Sequence, residues 1–223
     1  DTEVGRLIDT IRDLGLSDNT YVIYTSDNGP WLQFKNHGGS AGPLREGKGT
    51  TVEGGQRVPC VMWGPGRIPP GTECNALLST IDLLPSIAAL TNTPLPADRK
   101  IDGLDQSQLI TAADATSDAG ARDEFLYYTS RGQLEGIRQN HWKLLVKVPQ
   151  ARRKGQAKPG AKPASPQILL FDLTNDIGEQ NNLAEDKPEV VQALRSRMQE
   201  LDAEIEANAR EPWMMKTPDQ DPS

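Results

Sequence analysis

Val4, Leu7, Ile8, Ile11 and Leu14 recur at steps of three and four, the spacing of one face of an α-helix. Gly15 follows at once and predicts its end. After a turn over residues 16–19, residues 20–26 (Thr-Tyr-Val-Ile-Tyr-Thr-Ser) form a continuous β-branched and aromatic run. Such a run predicts a strand buried on both faces, the kind found in parallel sheets. Helix then strand is half of a βαβ unit. Asp27-Asn-Gly-Pro30 ends the strand sharply, and a glycine-rich loop runs from Gly29 to about Gln56. Loops of that length in compact domains are usually functional or disordered, and the aromatic, charged and hydroxyl residues among the glycines favour function. Residues 58–63 predict a second strand, ended by Gly64-Pro-Gly66. Residues 81–90 predict a helix with Thr80 as N-cap and Pro85 near the first turn.

From residue 91 to about 122 the chain turns to Pro, Ala, Asp and Thr, a connector composition with one short helix near Leu109. Period-two patterning then predicts strands over residues 125–129, 134–138, 141–148 and 168–173. The turns Arg131-Gly132 and Gln139-Asn140 make hairpins of them, hence a small antiparallel sheet. Val190, Val191, Leu194, Met198, Leu201 and Ile205 mark a closing helix over residues 188–208. The expected organisation is an α/β part over residues 1–121, a small sheet-plus-helix domain over 122–210 and a tail over 211–223. The segment 149–166, rich in Ala, Gly, Pro, Lys and Gln, predicts a flexible hairpin extension.

The 223 residues carry 24 Lys+Arg against 31 Asp+Glu, a net charge of −7. That balance argues against a nucleic-acid binder, which shows a basic footprint. Residues 147–166 hold six basic side chains and no acid, so the rest of the chain is more acidic still. No run approaches the ~18–20 apolar residues of a spanning helix. Two cysteines, Cys60 and Cys74, make neither a disulfide framework nor a zinc cluster. The chain opens on Asp1 and enters a helix with no capping residue before it. It is therefore expected to be a fragment whose N-terminal part lies elsewhere.

Candidate chemistry concentrates between Ser26 and Pro59. Asp27 and Asn28 sit just past the C-terminal end of the first strand, the edge where α/β sheets bind ligands. A carboxylate and an amide oxygen side by side suit Ca²⁺ or Mg²⁺. A turn in which both side chains bond nearby backbone is the alternative. Lys48, between Gly47 and Gly49, offers a compact positive charge to an oxyanion. The stretch Gly42-Pro-Leu-Arg-Glu-Gly-Lys-Gly49 nearly matches a P-loop, but Gly49 stands where the hydroxyl residue is needed. Arg45 and Arg57 are expected to pair with acids such as Glu46 and Glu53. His37, on the loop, is a candidate to touch substrate or act as an acid, whereas His141 opens a strand and is expected to be structural.

These residues resemble the C-terminal half of an arylsulfatase-type sulfatase. The resemblance rests on an ordered series: Ser26-Asp-Asn-Gly-Pro30, the loop Gly38-Gly-Ser-Ala-Gly-Pro-Leu-Arg-Glu-Gly-Lys48-Gly-Thr50, and Glu53-Gly-Gly-Gln-Arg-Val-Pro59. Trp63-Gly-Pro-Gly66, Thr80-Ile-Asp-Leu-Leu-Pro85, Asp102-Gly-Leu-Asp105, Leu170-Phe-Asp-Leu173 and Glu179-Gln-Asn-Asn-Leu-Ala184 continue it. It implies an α/β fold with an alkaline-phosphatase-like mixed sheet, present in part, plus a small C-terminal domain with an antiparallel sheet and terminal helix. It also implies that Asp27 and Asn28 are calcium ligands and that Lys48 binds the sulfate group beside the metal. The family's nucleophile is a formylglycine made in a Cys/Ser-x-Pro/Ala-x-Arg motif, which neither Cys60, Cys74 nor any serine here fits.

In the intact enzyme the resemblance implies attack of the hydrated aldehyde on sulfur, departure of the alcohol, and expulsion of sulfate. It implies a sulfated small molecule or carbohydrate as substrate and a periplasmic or secreted location. This chain by itself is expected to be inactive. A phosphate mono- or diester hydrolase of the same superfamily, and a non-catalytic binding protein derived from a sulfatase, are the competing expectations.

Overall fold

The computed structural model describes residues 1–112, 120–147 and 166–210. Helix α1 (Thr2–Asp13) forms where the three-and-four spacing predicts it. Gly15, at φ +68°, ends it, with the Leu16 N–H donating back to the Ile11 carbonyl at 3.0 Å. The chain then turns into strand β1 (Val22–Thr25), crosses the glycine-rich loop and one short helical turn, α2 (Glu53–Gln56), and returns as β2 (Cys60–Trp63).

β1 and β2 pair antiparallel, Val22 opposite Trp63 and Thr25 opposite Cys60. The expectation of a parallel-sheet strand buried on both faces is corrected here. A β-branched and aromatic run specifies an extended strand, not its burial or its direction, and the connection decides direction. The loop after β1 doubles back without a crossover helix, so β2 returns beside β1 pointing the other way. Tyr24 and Val61 are 56% and 63% exposed in this two-stranded sheet.

The helix predicted from residue 81 begins as a 3-10 turn (Thr80–Asp82) that runs into α3 (Leu83–Leu90). Its N-cap is Ser79 rather than Thr80. The acid three residues on, Asp82, accepts the Ser79 N–H at 2.9 Å, the reciprocal half of a capping box. Asp82 is fully buried and also accepts the Leu104 N–H at 2.8 Å and the Arg122 guanidinium at 2.6 Å. Burial pushes its carboxyl up, but Arg122 and the two backbone donors outweigh that and hold it below its ordinary value. This cluster fastens α3 to the connector that contains α4 (Ser107–Thr111).

The second sheet has four strands in sequence order: β3 (Glu124–Tyr128), β4 (Leu134–Gln139), β5 (Trp142–Lys147) and β6 (Gln167–Asp172), all antiparallel. Helix α5 (Pro188–Ala207) lies on one face, where Leu194 and Met198 pack with Ile137, Leu144, Val146 and Leu170. The alternate residues Leu145, Leu169, Phe171 and Leu173 pack on the opposite face. There they bury Val52, from the glycine-rich loop, completely. The loop of the first sheet is therefore seated on the back of the second. Segment 149–165 and the tail 211–223 lie outside the described residues.

Candidate active site

The turn after β1 is held by its main chain and its serine. Thr25 Oγ1 donates to the Pro59 carbonyl at 3.0 Å and Ser26 Oγ to the Asn28 carbonyl at 2.9 Å. The Gly29 N–H donates to the Gly55 carbonyl at 3.1 Å, and the Pro30 carbonyl accepts the Lys48 N–H at 2.9 Å. Among the described residues, no protein donor occupies the Asp27 carboxylate or the Asn28 amide oxygen. Asp27 is exposed and Asn28 half-buried. Two hard oxygens side by side suit a calcium ion, which takes 6–8 of them. Among the described residues no group of three His, Cys, Asp or Glu could hold a metal, so this pair fits one edge of such a site and not the whole.

Glycine is required where these segments touch. A Cβ on Gly29 would stand 1.8 Å from the Gly54 carbonyl oxygen, and one on Gly47 would stand 2.4 Å from that of Pro30. Gly49 adopts φ +89°. The glycine before Lys48 thus lets two backbones meet, and the one after turns the chain away. Gly29→Ala is expected to cost about 2–3 kcal/mol, since a backbone clash cannot be relieved by a rotamer change. A drop of several degrees in the melting temperature would register it, and an unchanged value would show the two turns to be apart.

Lys48 is exposed, its Nζ 5.2 Å from the centre of the Trp31 ring, so the ammonium lies over an aromatic face. Trp31 N–H donates to the Gly38 carbonyl at 3.0 Å, closing the 3-10 segment Leu32–His37 into a side loop. His37 is exposed at its end. Among the described residues its ring makes no hydrogen bond to Asp27, Asn28 or Lys48. Asp27, Asn28 and Lys48 are therefore joined through Pro30, and His37 is attached only through its loop. Arg45 and Arg57 pair with Glu46 at 3.8 Å and Glu53 at 3.2 Å, as their neighbours in sequence predict. His141 stacks at a tilt on Trp142, 4.9 Å between ring centres.

Under the loop lies a charged cluster that the sequence pattern does not single out. Lys143, on β5, is fully buried. Its Nζ donates to Glu53 Oε1 at 2.8 Å, lies 2.9 Å from Glu179 Oε1 off the hydrogen-bond axis, and sits 4.5 Å from the Tyr127 ring centre. Glu179 is fully buried too, and its other oxygen accepts the Glu53 N–H at 2.6 Å. Arg45 Nη1 donates to the Glu179 carbonyl at 2.9 Å. Burial pushes Glu53 up, but Lys143, Arg57 and Arg138 together hold it below the ordinary glutamate value. Burial drives the Tyr127 hydroxyl well above its ordinary value, and the nearby Glu53 charge adds to this. The one signal in the sequence is a lysine at an inward position, two residues before Leu145 on a strand that is otherwise apolar at its centre. A cleft of about 270 Å³ opens between the loop and this face, bordered by Asp27, Glu53, Arg57, Phe125, Tyr127 and Arg138.

Two family models match the chain: "Sulfatase" over residues 1–93 and "C-terminal region of aryl-sulfatase" over residues 121–220. Arylsulfatase A of Homo sapiens is 38% identical over 220 residues, covering 93% of this chain and 42% of that protein. N-acetylgalactosamine-6-sulfatase of Canis lupus familiaris is 47% identical over 106 residues, covering 47% of this chain and 20% of that protein. The crystal structure of the PsFucS1 sulfatase from Pseudoalteromonas sp. superposes with a TM-score of 0.74 at 26% identity, covering 92% of this chain and 42% of that one. The chain thus spans about two fifths of the length of the full-coverage relatives it matches.

Proposed function

The chain belongs to the sulfatase family, with its alkaline-phosphatase-like α/β fold, and from that premise we propose that it is the C-terminal portion of a sulfuric ester hydrolase and supplies one edge of the active site. The observation that carries the reading is the 2.9 Å bond from the Lys48 N–H to the Pro30 carbonyl. It fixes the backbone of glycine-flanked Lys48 against the turn that bears two hard oxygens, to which no protein group donates among the described residues.

In this reading Asp27 and Asn28 hold a calcium ion, which when bound would polarise sulfate oxygens. Lys48 binds the sulfate group and stabilises the charge that develops on it and on the departing ester oxygen. His37 reaches substrate from the side loop. The nucleophile is assigned to a formylglycine formed outside these 223 residues, because Cys60 and Cys74 lie in no Cys/Ser-x-Pro/Ala-x-Arg motif. The same reasoning makes the chain inactive by itself. The substrate is a sulfated small molecule or carbohydrate, and the protein is exported to the periplasm or beyond. Among the described residues no helix is long and apolar enough to cross a membrane.

The test is hydrolysis by the intact protein of an aryl sulfate and of the phosphate ester of the same alcohol, with and without a calcium chelator. Sulfate release is expected to dominate and to fall on chelation. Asp27→Ala and Asn28→Ala are each expected to weaken calcium binding by at least about tenfold, since affinity follows the count and charge of oxygen ligands. Preference for the phosphate ester would replace the reading with a phosphohydrolase. Calcium binding untouched in both variants would remove Asp27 and Asn28 from the metal.

A further inference from the structure

We propose that Lys143 is a positioning residue: from inside the second sheet it holds α2, and α2 in turn holds the Asp27–Asn28 turn and the Lys48 segment at a fixed separation. The functional half of this statement rests on the sulfatase reading, and the mechanical half stands on geometry alone. α2 lies between the two site segments. Its Gly55 carbonyl accepts the Gly29 N–H at 3.1 Å, and its Gly54 N–H donates to the Arg45 carbonyl at 2.9 Å. A Cβ on Gly54 would lie 2.2 Å from the Arg45 oxygen and 2.3 Å from that of Glu46. So α2 touches one segment just after Asp27 and Asn28 and the other just before Lys48.

A helical turn of four residues containing two glycines has little stability of its own. It needs an outside anchor, and the anchor is Glu53. Its carboxylate is held by Lys143 at 2.8 Å and its N–H by Glu179 at 2.6 Å. Both partners are fully buried, and Lys143 is fixed by the β4 and β6 strands on either side of β5. Arg45, which flanks the Lys48 segment, is tied to the same residue through the Glu179 carbonyl. Arg57 reaches Glu53 only from the solvent side, at 3.2 Å with its own side chain 42% exposed. The Lys143 contact is therefore the rigid one, and it reaches the two site segments through α2.

Lys143→Met would leave two buried carboxylates without their cation, so folding itself is at stake. Glu53→Gln keeps Lys143 and Glu179 as a balanced pair and weakens only the hold on α2. Amide hydrogen exchange of the intact protein is the direct readout. In Glu53→Gln the amides of Gly29, Lys48 and Gly54 are expected to exchange at least about tenfold faster, while Ile137, Leu144 and Leu170 in the second sheet keep their rates. Turnover of a sulfate ester should fall in parallel. Unchanged rates at Gly29 and Lys48 would overturn the proposal. So would an even rise at all sites, which marks a merely structural role. Equal loosening in Arg57→Ala, which leaves Lys143 on Glu53, would assign the anchor to Arg57 and overturn it too. Selective loosening with undiminished turnover would sustain the positioning role and instead remove these segments from the reaction.

Discussion

Lys48→Ala in the intact protein is expected to lower kcat/KM for a sulfate ester by about 10²–10³-fold, the scale of losing one preorganised charge donor at a reacting oxyanion. The loss should fall on kcat as well as KM, because charge on the leaving oxygen grows in the transition state and a group that meets it there affects the chemical step. The fold should be untouched. The side chain is exposed, and the segment is held by the Lys48 N–H and the glycines on either side, which the substitution leaves in place. Lys48→Arg should also be impaired. Its planar fork differs in shape from a compact ammonium, and the Trp31 ring, 5.2 Å from Nζ, lies against the same head group. Steady-state kinetics beside a melting curve decides this: full activity in Lys48→Ala would remove the residue from the site, and a collapsed melting temperature would make its role structural.

How much of this is legible in the sequence depends on the range of the interaction. The elements of the second sheet follow from period-two patterning and turn residues, both local, and they fall within a residue or two of their expected places. The stop of α1 at Gly15 is local as well. The burial and direction of β1 are not: its residues specify an extended strand, but Tyr24 stays exposed, and its pairing with β2 is set by a loop of over thirty residues whose path no short-range rule gives. The cap of α3 sits between these cases. Ser79 and Thr80 are both capping residues, and only the buried Asp82 three positions on from Ser79 decides between them.

The candidate site divides in the same way. Asp27, Asn28 and Lys48 stand out because hard ligands and glycine-flanked charge are visible in a single stretch. What joins them is a main-chain bond, Lys48 to Pro30, that no side-chain pattern announces. Arg57 with Glu53 is readable as a pair four residues apart on one turn. Lys143 with Glu53 and Glu179 spans ninety residues one way and thirty-six the other, and each member by itself resembles an ordinary surface charge. Only the inward phase of Lys143 on an apolar strand hints that it is buried.

That burial makes Lys143→Met the substitution with the largest expected effect on stability. Removing one partner of a buried ion pair costs about 3–5 kcal/mol, chiefly because the other is left charged and dry. Here two carboxylates would be left, with the half-exposed Arg57 beside one of them. The cost should depend on pH, and its sign follows from Glu53. In the intact cluster its carboxyl is held below its ordinary value of 4.5. Its contribution is therefore present above that value and lost as pH falls through the lower folded one. In Lys143→Met the chief opposition to burial is gone, and the Glu53 carboxyl is expected to rise above 4.5. The variant is then most stable below that value and loses stability as pH rises through the raised one. Urea midpoints for the intact protein and the variant should lie closer together at about pH 5 than at about pH 7.5. Adding Glu53→Gln and Glu179→Gln to Lys143→Met removes the stranded charges and should recover more than half of the loss at the higher pH. A gap of under about 1 kcal/mol, or one independent of pH, would mean that water reaches these groups in solution and that the cluster is not the dry anchor its burial describes.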